Sequence, residues 1–213
     1  MNNFQSTLDD FYEYLIKERG FSYHTTIAYR NDLDRFISWI PNTLSDFDQI
    51  DRDMIYQFLA QEVDNKYESK KNVYKKYSSR TIARRLASIK SLFKYLILSE
   101  QIIINPTDYI KTQKIAKKIP NFIDKKLIQE LMDGKYGPDI STNKGLRDRA
   151  IIELFYSTGI RLNELVSLNT SSINIKIEKE TKQKSFSIKV FGKGNKERII
   201  PFGNQAKFWL DKY

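Results

Sequence analysis

The sequence has no cysteine and a single histidine. A disulfide framework and a thiolate metal site are therefore excluded, and one imidazole, His24, cannot assemble a zinc site. We interpret His24 as a surface residue of a helix. No apolar run approaches the ~20 residues of a membrane span, and the first residues, MNNFQSTLDDFYEYL, are acidic rather than a basic leader before an apolar stretch. These absences predict a cytoplasmic protein that does not enter a membrane.

Acidic residues are few in the regions where basic residues are many. The formal net charge is +10, from 36 Lys and Arg against 26 Asp and Glu. Residues 1–64 hold 5 basic against 12 acidic side chains, residues 65–110 hold 10 against 3, and residues 111–213 hold 21 against 11. A lysine-rich composition raises the total, but it does not segregate the charge. The segregation favours a polyanionic partner, and nucleic acid first of all.

Apolar residues recur at helical spacing through the first 64 residues. They predict one helix that ends at Gly20, a second that ends before Pro41, and a third that starts from a cap at Asp51. Residues 66–79, KYESKKNVYKKYSS, carry five lysines without a clear period. We predict a loop in this segment, which is either a solvated connection or a loop that follows a DNA backbone.

A fourth helix is predicted from Ser79 to Ser99, and its two faces differ in character. One face is apolar and packs against a helical bundle. The opposite face carries cations separated by the small residues Ala87 and Ser91. Its basic residues are Arg80, Arg84 and Lys94, with Lys90 at the edge. Small residues allow close approach to a groove while the cations meet phosphates, so we predict that this face binds DNA; a solvated helix face is the alternative.

The helical half ends at Asn105-Pro106, and an extended basic segment follows it. The basic residues of this segment are Lys111, Lys114, Lys117 and Lys118. We predict a helical DNA-binding domain over residues 1–110, a linker over 111–120 and a second domain over 121–213. A linker that crosses DNA lets two domains close around the duplex as a clamp, whose affinity falls steeply with salt.

The second half places an arginine and a lysine at two turns. A helix from Leu146 ends at Gly159, and a short helix is predicted near Arg161, with Glu164 three residues further on. Residues 173–201 alternate in three short apolar runs, which predict an antiparallel sheet. The segment GKGNK, residues 192–196, is typical of a tight hairpin turn that holds Lys193 at its tip. The predicted fold class is therefore mainly α with a small antiparallel β-sheet.

We interpret Arg161 and Lys193 as a phosphate-binding pair, since an arginine beside a helix amino terminus suits an anion. From the residues alone, two simpler interpretations stay open. Arg161 and Glu164 also fit a surface ion pair of a helix, and Lys193 also fits a solvated hairpin lysine. The glycines do not form a nucleotide-binding loop, because no serine or threonine follows the lysine and strands flank it on both sides.

Two motifs of the second half resemble the tyrosine recombinase (phage integrase) family, and within it the Xer-type recombinases. GLRDRAIIELFYSTGIRLNELVSL is similar to the first arginine motif of that family, and VFGKGNKERIIPFG is similar to its β-hairpin lysine motif. In the first half, TTIAYRNDLDRFISWI and SSRTIARRLASIKSLFKYLILSEQIIINP resemble the family's SAM-like core-binding domain. The fold implied is a helical core-binding domain followed by the first part of the catalytic domain.

The resemblance also implies roles for three residues. Arg161 would contact the scissile phosphate, Lys193 would act as general acid on the leaving 5′ oxygen, and Glu164 would orient the site. The implied activity is site-specific recombination through a 3′-phosphotyrosyl intermediate, in Xer-like chromosome dimer resolution or in integration, without metal or nucleotide cofactor. The implied partners are double-stranded DNA with a specific recombination site and, for the full-length protein, a tetramer or a hetero-tetramer with a second recombinase.

The remaining catalytic groups of the family have no match in this sequence. The family uses a His-x-x-Arg motif, a further His or Trp and a tyrosine nucleophile, whereas Tyr213 follows Lys193 too soon and lacks the surrounding motif. We therefore expect a chain that is truncated at its carboxy terminus and that binds DNA without cleaving it. The alternative is a truncated, non-catalytic module that acts as a competitor or architectural factor. RNA binding is disfavoured, because no aromatic-rich strand motif for stacking bases is present.

Overall fold

The computed structural model describes residues 3–68, 73–112, 121–133, 136–177, 184–192 and 196–213. The chain divides into two compact units, Met1–Lys118 and Ile119–Tyr213. Within the described ranges the architecture is mainly helical, with one two-stranded and one three-stranded antiparallel sheet. This confirms the predicted fold class. None of the described helices is long and apolar enough to cross a membrane.

The first unit is built from long helices, of which the second to the fourth begin at polar caps. Its helices are α1 (Asn3–Lys17), α2 (Tyr23–Trp39), α3 (Arg52–Asp64) and α4 (Ser79–Leu98), with a short 3-10 turn at Phe47–Gln49. The carboxylate of Asp51 accepts the N–H of Met54 at 2.8 Å, and the hydroxyl of Ser78 accepts the N–H of Thr81 at 3.2 Å. Each of these bonds satisfies a backbone donor that the helix itself leaves without a partner. The caps therefore set where α3 and α4 begin.

Each helix of the first unit contributes a fully buried phenylalanine to one core. These residues are Phe11, Phe36, Phe58 and Phe93. The rings of Phe36 and Phe58 meet edge to face, with centroids 5.1 Å apart and planes at 66°. Aromatic side chains of this size bury the most apolar area per residue, so they dominate the stability of such a core. Packing against this core fixes α4, and it leaves the opposite face of α4 towards solvent.

The segment between α3 and α4 differs from its predicted form. The loop predicted for residues 66–79 is wrong for six residues, because β1 (Lys66–Glu68) pairs antiparallel with β2 (Tyr74–Lys76). The strands are too short and too polar for a sequence alternation to reveal them. Instead, the ring of Tyr67 stacks on the ring of Tyr77, with centroids 4.9 Å apart and planes at 20°. A single aromatic contact does not repeat along the sequence, so an analysis of hydrophobic periodicity does not detect it.

The second unit packs helices against a three-stranded sheet. Its helices are α5 (Lys125–Asp133), α6 (Asn143–Thr158), α7 (Leu162–Val166) and α8 (Asn204–Lys212). Its strands are β3 (Ile173–Ile177), β4 (Lys184–Phe191) and β5 (Glu197–Phe202), preceded by a 3-10 turn at Thr170–Ser172. The strand order is β3-β4-β5, and β4 pairs with β5 through Val190 opposite Arg198 and Phe191 opposite Glu197. This register decides which side chains of β5 face the neighbouring helices.

A separate core holds the second unit together. Buried Leu154 of α6 packs with Ile188, Val190 and Phe202 from the sheet and with Ala206 of α8. α6 ends at Gly159, whose φ of 60° is the left-handed conformation that a glycine adopts without a steric cost. The chain therefore reverses sharply after α6 and starts α7 within three residues. This turn places Arg161 at the surface, next to the end of the sheet.

Candidate active site and nucleic-acid interface

Arg161 stands at the start of α7 and points its side chain into solvent. Its backbone is extended, with φ −75° and ψ 151°, and its side chain is 65% exposed. The preceding residue, Ile160, is buried in the core of the second unit. The buried isoleucine anchors the turn, so the guanidinium is presented outwards at a fixed place. α7 has only five residues, and its amino terminus is therefore a minor source of positive potential beside the guanidinium itself.

Glu164 lies one turn into α7 and is almost fully buried, with 3% of its side chain exposed. Its Oε2 accepts the backbone N–H of Arg161 at 2.8 Å, and its Oε1 accepts from Nη1 of Arg161 at 3.0 Å. The hydrogen bond from the backbone N–H of Arg161 is the main cause that lowers the pKa of Glu164. With the side-chain hydrogen bond and the nearby arginine charges, it outweighs the opposite effect of burial. Glu164 is therefore an anion at neutral pH. It ties the side chain of Arg161 to its own helix.

A second arginine, which the sequence motifs did not single out, reaches the same carboxylate. Nη2 of Arg198, on β5, donates to Oε2 of Glu164 at 2.8 Å, and the Arg198 side chain is 41% exposed. A guanidinium carries five N–H donors, so each arginine bonded to Glu164 keeps donors directed to solvent. Two guanidiniums that meet at one surface are suited to a phosphate, because their planar forks match its oxygens. We refer to Arg161, Glu164 and Arg198 as the arginine cluster.

The position of Lys193 lies outside the described residues. The strands before and after it are paired as far as Phe191 and Glu197, and the N–H of Gly192 donates to the carbonyl of Lys196 at 2.8 Å. A Cβ placed on Gly192 would lie 3.5 Å from Oε1 of Glu164 and 3.7 Å from Nη1 of Arg198. The residue before Lys193 therefore lies against the arginine cluster. Two motifs about 30 residues apart in the sequence meet in this way.

The cations predicted on α4 fall into two groups. Arg80 and Lys94 are exposed. Arg84 is also exposed, but its Nη1 donates to Oδ2 of Asp32 at 2.6 Å and to the carbonyl of Ala28 at 3.3 Å. Lys90 is partly buried, and its Nζ donates to the carbonyl of Ile110. Arg84 is thus oriented by α2, while Lys90 is tied to Ile110, which follows the last helix of the first unit.

Next to Arg84 lies a buried group of charges that the sequence pattern did not predict. Arg85 is buried and contacts the carboxylate of Glu62, which also accepts from Nε of Arg35 at 2.9 Å. The ring of Tyr77 covers both guanidiniums, with its centroid 3.9 Å from Cζ of Arg85 and 5.1 Å from that of Arg35. We call these four residues the Glu62 cluster. It joins α2, α3 and α4 to the residue that follows β2.

The basic segment at the end of the first unit is described only at its start. Lys111 is exposed. Lys114, Lys117 and Lys118 lie outside the described residues. In the described part of the chain, no group of three or more His, Cys, Asp and Glu side chains is arranged to hold a metal ion.

Two family models match most of the chain. The model described as "Phage integrase, N-terminal SAM-like domain" matches residues 8–100, and the model described as "Phage integrase family" matches residues 121–213. The first match begins within α1, at residue 8, and covers α2, α3, α4 and the β1–β2 pair. The second covers the arginine cluster.

Individual proteins are similar over nearly the whole chain. The chain is 36% identical over 208 residues to the tyrosine recombinase XerD of Listeria innocua serovar 6a, an alignment that covers 97% of this chain and 63% of that protein. It is 34% identical over 213 residues to the tyrosine recombinase XerC of Herpetosiphon aurantiacus, which covers 98% of this chain and 62% of the relative. The chain thus spans less than two thirds of the length of these relatives.

A solved structure has the same fold at low sequence identity. It is a lambda integrase tetramer bound to a Holliday junction, with a TM-score of 0.67 and 18% identity. The match covers 98% of this chain and 55% of that one. The similarity therefore extends through both units.

Proposed function

The chain belongs to the phage integrase family of tyrosine recombinases, and we propose that it serves in site-specific recombination of double-stranded DNA. In this proposal the helical unit of residues 1–110 binds the duplex, the segment 111–120 links it to the second unit, and residues 121–213 bind a phosphate of the DNA. The similar XerD and XerC proteins carry the name tyrosine recombinase, and the lambda integrase neighbour is described on a Holliday junction. These names support the class of activity.

The arginine cluster is the observation that carries this proposal. Arg161 and Arg198 both donate to the buried carboxylate of Glu164, and both keep donors towards solvent. We assign Arg161 to the scissile phosphate and Glu164 to its orientation. When a nucleophile attacks phosphorus, negative charge develops on the non-bridging oxygens, and oriented N–H donors stabilise it. Losing one such donor typically costs ~10² to 10³ in rate.

We assign Lys193 to the leaving group. When the tyrosine hydroxyl of the complete active site attacks phosphorus, a 3′-phosphotyrosyl bond forms and the bond to the 5′ oxygen breaks. The 5′ oxygen needs a proton as it leaves, and the ammonium group of a lysine can donate that proton. The position of Gly192 against Glu164 supports this role, because it brings the residue before Lys193 to the arginine cluster.

In the helical unit we assign DNA contacts to Arg80, Arg84, Lys90 and Lys94, and in the linker to Lys111, Lys114, Lys117 and Lys118. Exposed Arg80 and Lys94 support phosphate contacts. The hydrogen bond from Lys90 to Ile110 makes Lys90 the weakest candidate, since it has a partner in its own chain. We further propose assembly as a tetramer, or as a hetero-tetramer with a second recombinase, for the full-length protein.

We propose that this chain alone binds DNA without cleaving it. Its only histidine, His24, lies on α2 of the helical unit, so the second unit cannot supply a His-x-x-Arg motif from these residues. The second candidate is a truncated, non-catalytic module that competes for DNA sites. The lack of a His-x-x-Arg motif in these residues favours it as well. Both candidates require DNA binding by the helical unit.

The test measures binding and cleavage separately on the 213-residue chain. Binding to a labelled duplex is measured by fluorescence anisotropy. The logarithm of the association constant is expected to fall linearly with the logarithm of the salt concentration, with a slope of about −0.9 for each phosphate contacted. A nicked duplex that traps covalent intermediates is expected to give no protein–DNA adduct. Salt-insensitive or absent binding contradicts the proposal. A covalent adduct contradicts the assignment of this chain as non-cleaving.

A further inference from the structure

The β1–β2 pair is held in place by the bundle rather than by its own strands. Two three-residue strands are not stable as an isolated hairpin in water. Here Tyr67 stacks on Tyr77, and Tyr77 in turn covers Arg85 and Arg35 of the Glu62 cluster. Cation–π contacts are stronger when the guanidinium is partly removed from water, as that of Arg85 is. The stack therefore anchors the base of the strand pair to α2 and α4.

The strand pair carries a charge arrangement that does not favour its own folding. Lys66 lies directly opposite Lys76 across the two strands. Like charges in directly opposed positions destabilise a strand pair. The bond of Lys76 to Asp64, at 3.3 Å between two well-exposed side chains, is too solvated to offset this by much. An anion between the lysines would turn the repulsion into attraction.

β2 and the residue before it expose apolar surface beside these cations. Tyr74 is 68% exposed and Val73 is 52% exposed. An exposed aromatic ring next to lysines gains nothing for the fold, whereas tyrosine and lysine both commonly contact DNA phosphates and sugars. The charge and the residue types of this surface fit a nucleic-acid backbone.

The surface is continuous with the face of α4 that is assigned to DNA. β2 ends at Lys76, α4 begins at Ser79, and Arg80 in its first turn is exposed. Over residues 66–80 the sequence holds six basic residues and one acidic residue. An acidic protein partner would fit the charge, but the continuity with α4 selects DNA.

We propose that the β1–β2 strand pair is a second DNA contact of the helical unit, which meets backbone phosphates beyond the amino-terminal end of α4. The inference rests on the proposed DNA binding and extends it to a surface outside the α4 face and the linker. The strand pair lengthens the protein's footprint at one end. The Glu62 cluster and Tyr77 act as positioning residues that keep it there.

The first experiment compares two double variants of equal charge change. Lys66→Gln with Lys76→Gln removes the two opposed, exposed cations of the strand pair, and Lys17→Gln with Arg19→Gln removes two exposed cations from α1 and the turn after it. The slope of log K against log salt is expected to become shallower by about 0.9 for each lost phosphate contact in the strand-pair variant, and to stay unchanged in the control. Equal slopes in the two variants overturn the inference.

The second experiment maps the position directly. Because the sequence has no cysteine, Tyr74→Cys provides a single site for an iron chelate that cleaves nearby DNA. Cleavage is expected at one end of the bound site, while the chelate on Ile16→Cys, an exposed position of α1, is expected to give none. Bound DNA that is not cut from position 74 overturns the inference. Failure of the unmodified chain to bind any duplex instead overturns the proposed function, so the two failures are distinguishable.

Discussion

Glu164 orients two guanidiniums at once, and its charge is therefore the most sensitive single feature of the candidate site. In Glu164→Gln the amide oxygen can still accept the N–H of Arg161, but the charge that attracts Arg161 and Arg198 is lost. We expect roughly tenfold weaker binding of the second unit to DNA phosphate, the size of one charge-assisted hydrogen bond. The measurement is duplex affinity at fixed salt. Glu130→Gln, on exposed α5, is the matched control and is expected to have no effect.

The same carboxylate predicts a pH dependence of stability. The hydrogen bond from the backbone N–H of Arg161, with the nearby arginines, holds the folded-state pKa of Glu164 below the ordinary glutamate value. Its stabilising contribution is therefore complete above that ordinary value and is lost as the pH falls through the lower, folded-state pKa. Urea unfolding of the unmodified chain at several pH values is expected to show that the unfolding free energy of the second unit falls at acid pH. If the unfolding free energy of Glu164→Gln falls by the same amount at acid pH, the pH dependence belongs to other carboxylates.

Arg198 tests whether the cluster recognises phosphate by geometry or only by charge. Arg198→Lys keeps the positive charge but removes the planar fork that can bond Glu164 and a phosphate together. We expect both Arg198→Lys and Arg198→Ala to weaken duplex affinity, by roughly tenfold, and the lysine variant to recover little of it. Full recovery by lysine would assign Arg198 to general electrostatics.

A contact between two site residues could be predicted only where the residues are close in the sequence. Arg161 and Glu164 are three residues apart, so the pattern predicts their contact. Arg198 reaches Glu164 across 34 residues, and Arg85 reaches Glu62 across 23, so neither contact has a signature in the local sequence. Such contacts depend on strand register and helix rotation, which follow from the whole fold.

Among the elements, α1 to α4 were predictable and the β1–β2 pair was not. The long helices carry both an apolar period and capping residues such as Asp51. The strand pair has three residues per strand, and stacking of Tyr67 on Tyr77 stabilises it from outside. Periodicity detects burial that repeats along an element, and a single aromatic stack does not repeat.

The Glu62 cluster is expected to stabilise the arrangement of α2, α3 and α4. Glu62→Gln removes the nearer of the two carboxylates that the buried guanidinium of Arg85 contacts and leaves Asp32 at 3.8 Å, and breaking such a buried pair typically costs about 3 to 5 kcal/mol of unfolding free energy. Glu18→Gln, at an exposed position after α1, is the control and is expected to change little. Urea unfolding of both variants checks this expectation. A cost below about 1 kcal/mol would mean that Asp32 alone compensates the charge of Arg85.

At the scale of the whole molecule, each unit has a hydrophobic core of its own. Phe93→Ala removes a fully buried ring from the first core and is expected to destabilise it by about 3 to 5 kcal/mol. Hydrogen exchange measured along the chain is expected to rise within α1 to α4 and to stay unchanged in β3 to β5. Phe122→Ala, at a highly exposed position, is expected to change neither unit. A matching rise in the second unit would mean that the two cores unfold together.

The opposed charges of the first unit also have a kinetic consequence. Its first 64 residues are strongly acidic, whereas the strand pair and α4 are strongly basic, so the unit carries a permanent electric dipole. In the field of a polyanion such a body experiences a torque as well as an attraction. It rotates until its basic side leads, and collisions with the acidic side are repelled before contact. With the proposed DNA binding by α4, most encounters with a duplex are then expected to begin with α4 already turned towards the DNA.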